Sequence, residues 1–309
     1  MTAAGVGVRE EPMLSMHGIS KAFGGIEALV DVSLIVRRGT VHALVGENGA
    51  GKTTLMRIVL RMIAPDRGTI TLAGAARPIR TTADAIASGI GMVHQHFTNV
   101  PAMTVAENVA LGARGRYNKA GAAELVRRVG AASGLPLDPD ARVSELPVGA
   151  QQRLEIVKAL ARDVRMLILD EPTAVLAPSE AGELLRWIRG FANAGNAVVL
   201  ITHKLREALA VADDVTVLRR GSVVLAANAA SLDADSLAAA LVGDDRQTIE
   251  ARPRRTPAHS CVAKLVAVNA EDARGARTLR SVDLEVRAGE IVGVAGVEGS
   301  GQRELLRAL

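Results

Sequence analysis

Aromatic residues, cysteines and long apolar runs are all scarce in this 309-residue chain. Phe, Tyr and Trp together supply 2% of the residues, which argues against a stacking platform for single-stranded nucleic acid. The single cysteine, Cys261, excludes a disulfide within the chain and fits a reducing compartment. No apolar run reaches the roughly 18 residues of a membrane span. Met1 to Glu11 lacks a basic segment followed by an apolar stretch, so we expect no secretory signal.

Charge and apolar content indicate a folded protein. Apolar residues make up 49% of the chain, enough to bury a sizeable core. The net charge of +4 is small for a nucleic-acid binder, although the pI near 9.6 leaves that option open. We therefore expect a soluble intracellular protein and no nucleic-acid partner.

An internal repeat is the most informative large-scale feature. Residues 32–39 align with residues 282–289, and the register continues without a gap from Gly46 and Gly296 to Leu55 and Leu305. The offset is 250 residues throughout. Solenoid repeats run roughly 20–50 residues, so this period indicates duplicated domains. Two unrelated strand–turn–helix units are the alternative.

The repeat predicts one complete domain at residues 11–245 and the beginning of a second at residues 260–309. The second copy is expected to stop just inside its first helix. Residues 246–259 form the expected linker, because the surrounding stretch is charged and broken by proline.

Apolar runs at 40–45, 166–169 and 197–202 predict buried strands. Residues 52–64 and about 179–194 predict helices between them. This alternation is typical of an α/β fold with a parallel sheet, which binds ligands beyond the carboxyl ends of its strands. Between about Thr104 and Arg162 the strand signal fades, and segments such as Ala120 to Ala132 predict a helical insertion.

A glycine-rich loop predicts a phosphate site. Residues 46–53 fit the pattern G-x-x-x-x-G-K-[ST] between a strand and a helix. Backbone amides of such a loop surround phosphate oxygens, while Lys52 reaches the outer phosphates and the Thr53 hydroxyl ligates Mg²⁺. The expected nucleotide contacts are Gly46, Glu47, Asn48, Gly49, Ala50, Gly51, Lys52, Thr53 and Thr54.

Two carboxylates follow the apolar strand at 166–169. Asp170 is placed to hold Mg²⁺ through water, and Glu171 to polarise a water for attack on a γ-phosphate. A solvated acidic loop is the alternative for such a pair taken alone.

Together these residues resemble the ATP-binding cassette (ABC) family. The resemblance implies a P-loop NTPase with a RecA-like parallel sheet core, an antiparallel β subdomain and a helical subdomain at about 96–165. It implies ATP and Mg²⁺ as cofactors. His203 matches the family histidine that contacts the γ-phosphate, and Gln95 the glutamine that contacts Mg²⁺ and the attacking water. Phe23 matches the aromatic residue that stacks on adenine, with a core position as its alternative. Catalysis is thus assigned to Glu171, His203 and Gln95, and metal binding to Thr53, Gln95 and Asp170.

Two segments depart from the family pattern. The signature L-S-G-G-Q aligns with residues 146–150, where Pro147 supplies neither a hydroxyl nor an N–H. In the second copy, Gln302 replaces the phosphate-loop lysine and Arg303 the hydroxyl residue. Since family members bind each ATP between the loop of one cassette and the signature of another, we expect one hydrolytic and one degenerate site per full-length chain. Cassette pairing is expected within one chain or between chains.

Three short segments are similar to the tandem ATPases of bacterial sugar and nucleoside importers: residues 94–97, 148–153 and 170–176. That branch implies two transmembrane permease subunits, an extracytoplasmic solute-binding protein acting indirectly, and a peripheral position on the cytoplasmic face of the inner membrane. Phe97, Val100, Met103 and Val105 are candidates for the permease groove, with the subdomain core as the alternative. Two other functions remain open, a soluble tandem ATPase acting on ribosomes or nucleic acid and a non-catalytic nucleotide-binding regulator.

Overall fold

The computed structural model describes residues 12–73, 79–111, 117–243, 260–271, 277–296 and 300–309. The chain divides into two compact units, Met1–Asp244 and Asp245–Leu309. The predicted linker at 246–259 lies outside the described residues.

Elements of the first unit are numbered in chain order. Its strands are β1 (Leu14–Phe23), β2 (Ile26–Val36), β3 (Val41–Gly46), β4 (Arg67–Leu72), β5 (Ile90–Val93), β6 (Met166–Asp170), β7 (Ala197–Thr202), β8 (Asp214–Arg219) and β9 (Ser222–Asn228). Its helices are α1 (Lys52–Val59), α2 (Thr82–Ala87), α3 (Val105–Ala110), α4 (Lys119–Ser133), α5 (Val148–Leu160), α6 (Pro178–Asn193), α7 (Leu205–Val211) and α8 (Ala234–Val242).

The main sheet has the order β5-β6-β7-β3-β8-β9. Its pairs are parallel from β5 through β8, and β9 joins antiparallel at the edge. Every residue of β3, β6 and β7 is buried, as expected of continuous apolar strands that are covered on both faces. A second, antiparallel sheet has the order β2-β1-β4. The predicted fold class is confirmed.

Helices occupy the region where the strand signal fades. The described residues there form α3, α4, a short 3₁₀ turn at Val143–Glu145, and α5. Both Val105 and Leu154 are fully buried in one apolar cluster of this region. The placement of Val105 in the core means that it is not part of an exposed groove.

Helix α1 is shorter than predicted, because it ends at Val59 rather than near residue 64. Arg61 takes a left-handed conformation with φ 55°. Its amide donates to the carbonyl of Ile58 and the Met62 amide to that of Arg57, at 3.0 and 2.9 Å. This is the Schellman motif, which glycine usually makes, so an arginine at that position gave no stop signal in the sequence.

The second unit contains β10 (Cys261–Glu271) paired antiparallel with β11 (Arg277–Arg287), and the helix α9 (Gln302–Ala308). A side chain in the first strand of each unit caps an amide of the second strand. Ser20 Oγ accepts from the Asp31 amide, and Asn269 Oδ1 accepts from the Ser281 amide, both at 3.1 Å. The capped residues have φ values of 51° and 48°. This shared local geometry favours duplication over two unrelated units.

Candidate phosphate-binding site

The sheet order brings the predicted site residues to one edge. Since β6, β7 and β3 are parallel neighbours, their carboxyl ends meet there. These ends lead into the residues Asp170 and Glu171, His203, and the glycine-rich loop. The two carboxylates, separated from the loop by more than a hundred residues, therefore lie beside it.

Close backbone approach requires glycine at two loop positions. A Cβ at Gly46 would lie 2.4 Å from the Leu218 carbonyl oxygen, and one at Gly51 would lie 2.7 Å from that of Ala28. Gly51 also begins α1 with φ 104°, a left-handed conformation that other residues adopt only with strain. The loop consequently wraps the N-terminus of α1, where free amides favour an anion.

Lys52 is buried, and its ammonium forms hydrogen bonds with the backbone of the loop. Its Nζ donates to the carbonyls of Gly46 and Glu47 at 2.6 and 2.9 Å. Burial lowers the pKa of Lys52 from its ordinary value, while the nearby carboxylates of Glu171 and Asp170 oppose that shift. A phosphate at this position would give the buried cation a charge partner.

Thr53 and Asp170 form the metal-binding candidate. The Thr53 hydroxyl donates to Asp170 Oδ2 at 3.3 Å. Burial raises the pKa of Asp170, and the hydrogen bond from Thr53 opposes the shift. A hydroxyl and one carboxylate suit Mg²⁺, which completes its shell with water and phosphate oxygens. Within the described ranges, no group of three or more His, Cys, Asp or Glu side chains is arranged to hold a metal.

Glu171 connects the other two catalytic candidates. Its Oε1 lies 2.9 Å from His203 Nδ1, and its Oε2 accepts from Gln95 Nε2 at 3.5 Å, the limit of a hydrogen bond. Glu171 has φ 47°, and its amide donates to the carbonyl of Ile201 at 2.9 Å. The backbone of the neighbouring strand thus holds this glutamate in an unusual conformation at the strand end.

A cavity of about 310 Å³ collects most of the predicted set. It is lined by Ala28, Asn48, Gly49, Ala50, Gly51, Lys52, Thr53, Thr54, Gln95, Asp170 and Glu171. Of the other predicted residues, Gly46, Glu47 and His203 contact this set, whereas Phe23 lies at the turn between β1 and β2. Sequence reasoning missed Ala28, a residue of β2 whose side chain carries no chemical signal.

Phe23 is 46% exposed, so the alternative of a core position is wrong. The Lys21 ammonium lies 5.5 Å from the centre of its ring. An exposed ring beside a cation is accessible to a planar ligand.

Sequence reasoning also missed Glu155, a buried carboxylate on α5 that anchors the segment after Gln95. Its Oε1 accepts from the Thr98 amide at 2.6 Å and from the Thr98 hydroxyl at 3.1 Å. Lys158 pairs with this carboxylate at 3.3 Å and donates to Asn99 at 3.0 Å. The segment that follows Gln95 is therefore held against α5.

Pro147 stands at the N-cap of α5 without a capping hydrogen bond from its side chain. Two residues further on, a Cβ at Gly149 would lie 2.2 Å from Glu180 Oε1. The helix persists despite the altered signature, because proline is tolerated at a helix start.

The second unit keeps the helix-starting glycine. Gly301 begins α9 with φ 92°, and a Cβ there would lie 2.8 Å from the Thr278 carbonyl oxygen. The side-chain nitrogen of Gln302 lies 2.6 Å from a Cβ built at Gly296. Residues 297–299 of this loop lie outside the described residues.

Comparison with known proteins agrees with this geometry. The profile of the family described as "ABC transporter" matches residues 29–174, which include the loop and both carboxylates. Residues 29–174 therefore belong to an ABC transporter domain.

The similarity to curated relatives extends well beyond residues 29–174. The chain is 42% identical to the glucose import ATP-binding protein TsgD13 of Haloferax volcanii and 40% identical to the nucleoside import ATP-binding protein NupA of Lactococcus lactis. Each match covers 97% of this chain and 60% of the relative. The chain thus spans about 60% of the length of these curated relatives.

Solved structures support the ABC cassette fold. The cbiO1 protein of Clostridium perfringens, part of the ABC transporter complex cbiONQ, matches with a TM-score of 0.65 and 25% identity. That match covers 74% of this chain and 93% of the other. The ADP conformation of MJ1267, an ATP-binding cassette of an ABC transporter, matches with a TM-score of 0.64 and 24% identity over 71% of this chain and 91% of its own, which shows the fold alone.

Proposed function

We propose that the first unit binds ATP with Mg²⁺ and hydrolyses it. The observation that carries this proposal is the 310 Å³ cavity, where the glycine loop, Lys52 and the two carboxylates meet. Thr53, Asp170 and Gln95 are the residues that would hold Mg²⁺. The bound cation would neutralise charge on the phosphates as it develops.

In this proposal Glu171 accepts a proton from the attacking water. Its Oε1 contact with His203 Nδ1 and its Oε2 contact with Gln95 hold the carboxylate from two sides. Loop amides and Lys52 bind the phosphate oxygens, while the exposed ring of Phe23 stacks on adenine. These residues therefore position the reactants, which is the main contribution of the protein in phosphoryl transfer.

We propose further that the full-length protein energises uptake of sugars or nucleosides. The relatives named above are import ATP-binding proteins for glucose and nucleosides, and a third, from Chelativorans, is a ribose import ATP-binding protein at 39% identity. The proposed partners are two transmembrane permease subunits, which receive the solute from an external solute-binding protein. None of the described helices is both long and apolar enough to cross a membrane. We propose that the protein lies at the cytoplasmic face of the inner membrane.

The segment after Gln95 is the proposed permease contact. Phe97, Val100 and Met103 are half-buried there, whereas Val105 belongs to the core. Glu155 and Asn108 hold this segment, since Asn108 accepts from the Val100 amide at 2.8 Å and donates to its carbonyl at 3.1 Å. Half-exposed apolar side chains on a fixed backbone favour docking of an apolar helix.

Glu171→Gln in the full-length protein tests the ATPase proposal. We expect ATP binding to persist and hydrolysis to fall by at least about 100-fold, because the amide accepts no proton. Equilibrium binding and phosphate release are the two measurements, and Glu124→Gln on α4 is the exposed control. Turnover near the unmodified rate would contradict the assignment of Glu171.

Phe97→Asp, compared with Phe97→Leu, tests the permease contact separately. We expect the aspartate variant to lose uptake and permease-stimulated hydrolysis while it still binds ATP. The leucine variant should retain both functions, because it keeps an apolar surface. Full uptake by the aspartate variant would contradict the proposed contact.

A further inference from the structure

The two-residue connection between β7 and α7 carries His203, which the proposed reaction uses. The side chain of His203 is 52% exposed, so packing does little to fix the imidazole beside Glu171. A displacement of about 1 Å at a catalytic group can lower the rate by about 10²-fold. The position of this imidazole therefore depends on what holds the backbone of the connection.

Lys204, the other residue of the connection, joins it to the segment that follows Glu171. Its amide donates to the Thr202 hydroxyl at 3.0 Å. Its Nζ donates to the carbonyl of Thr173 at 3.0 Å, and Thr173 follows Glu171 by two residues. Lys204 is thus a bridge between the segment that carries Glu171 and the segment that carries His203.

A carboxylate on α7 holds the same ammonium. Glu207 Oε1 lies 3.1 Å from Lys204 Nζ. Thr173 is 1% exposed, and its hydroxyl donates to Glu207 Oε2. That hydroxyl also accepts from Lys204 Nζ at 3.3 Å. The ammonium therefore has an oxygen partner for each of its three donors, and these partners belong to both segments.

Two simpler interpretations of Lys204 account for less of this geometry. An ion pair with Glu207 on one turn of α7 would contribute little to stability, because such pairs near the surface are screened by water. It also leaves the contact with the Thr173 carbonyl unexplained. A direct phosphate ligand would be expected in the wall of the 310 Å³ cavity, and Lys204 does not line that cavity.

We propose that Lys204 is a positioning residue for ATP hydrolysis, which holds His203 at its 2.9 Å contact with Glu171. This inference rests on the function proposed for the first unit. Lys204 touches neither nucleotide nor water in the reaction. It acts through the Thr173 carbonyl on one side and through its own backbone, which continues that of His203, on the other.

Lys204→Met in the full-length protein tests the bridge, because methionine retains an unbranched side chain but has no donor. We expect kcat for ATP hydrolysis to fall about tenfold while Kd for ATP with Mg²⁺ changes less than about threefold. Phosphate release measures kcat, and calorimetry measures Kd. An unchanged kcat, or a Kd that rises as much as kcat falls, would overturn the proposal.

Arg206→Met is the matched control, because Arg206 is exposed two residues further along the chain. It loses a cation of the same region but no part of the bridge, so it should retain the unmodified kcat. An equal fall of kcat in both variants would overturn the proposal, because any nearby cation would then serve. If Lys204→Met does not fold, Lys204→Gln replaces it, since this side chain is too short to reach both segments and keeps a polar surface.

A double-mutant cycle with His203→Ala separates positioning from a structural role. If Lys204 acts through His203, Lys204→Met should lower kcat by less than about twofold in the His203→Ala background. A further tenfold loss in that background would overturn the proposal, because Lys204 would then act independently of the imidazole. Loss of activity in His203→Ala without loss in Lys204→Met rejects the bridge alone. Absence of ATP hydrolysis by the unmodified protein would instead reject the proposed function.

Discussion

The last glycine of each glycine-rich loop has similar backbone geometry, but the residue that follows it differs in chemistry. Gly51 and Gly301 each begin a helix in the left-handed conformation, with φ 104° and 92°. At the next position the first copy has Lys52 and the second has Gln302. The comparison shows that the close-packed glycine at the helix start and the positive charge for phosphate are separable properties.

The strand that leads into the first loop is held from both sides. All of β3 is buried between β7 and β8. A loop that follows such a strand has a fixed starting point, which helps to preorganise the first site.

Lys52→Gln gives the first loop the residue of the second, and we expect the largest effect from it. Loss of the buried cation should weaken ATP binding by about 10²–10³-fold and slow hydrolysis with it. Arg57→Gln, exposed on the same helix, is the control. Calorimetry with ATP and a phosphate-release assay would measure the two quantities. Undiminished binding would mean that the lysine does not distinguish the copies.

His42→Val gives β3 the residue found at the equivalent position 292 of the second copy. Burial lowers the pKa of His42 to about 4, against its ordinary 6.5, with Asp214 opposing and Arg37 adding to the shift. The folded state therefore binds fewer protons than the unfolded state between these values, and stability falls as pH drops from 6.5 towards 4. The full difference corresponds to about 3 kcal/mol.

The valine variant should show a flatter stability profile across that window. Its stability at pH 7 should be lower, because the buried Thr216 hydroxyl loses its 2.8 Å hydrogen bond to the imidazole of residue 42. Urea unfolding at several pH values would measure both effects. An equally steep decline in the variant would show that other groups cause the acid sensitivity.

Thr53→Ala removes the hydroxyl that the second copy lacks at Arg303. We expect nucleotide to bind without Mg²⁺ much as before, whereas the Mg²⁺ concentration for half-maximal hydrolysis rises about tenfold. Thr53→Ser should restore the unmodified value, because it retains the ligand oxygen. An unchanged Mg²⁺ dependence in the alanine variant would remove Thr53 from the metal site.

Ser20→Asn tests what the copies share, and its effect should be the smallest. Asn269 makes the equivalent cap in the second unit, so the free energy of unfolding should change by less than about 0.5 kcal/mol. Ser20→Ala should cost about 1 kcal/mol, because the Asp31 amide loses its acceptor. Equal losses in both variants would show that the cap is not interchangeable.

Strands and loops that depend only on contiguous residues were predictable from the sequence. The apolar runs gave β3, β6 and β7 to within a residue or two, and the glycine pattern located the loop before α1. The ends of parallel strands implied that Asp170 and Glu171 lie beside that loop.

Features that depend on tertiary contact were not predictable. Glu155 lies 57 residues from Thr98, and only the packing of α5 against that segment reveals their hydrogen bond. Ala28 joins the lining of the cavity only because β2 lies beside the loop in the folded chain. Arg61 ends α1 in a conformation that its side chain does not favour.

The stoichiometry of ATP binding tests the central difference between the two copies most directly. Titration of the full chain with ATP and Mg²⁺, in the Glu171→Gln background to prevent turnover, should give one site per chain. Lys52→Gln should weaken binding at that site by about 10²–10³-fold, and Gln302→Ala should leave it unchanged. Binding that survives Lys52→Gln but disappears with Gln302→Ala would contradict the account.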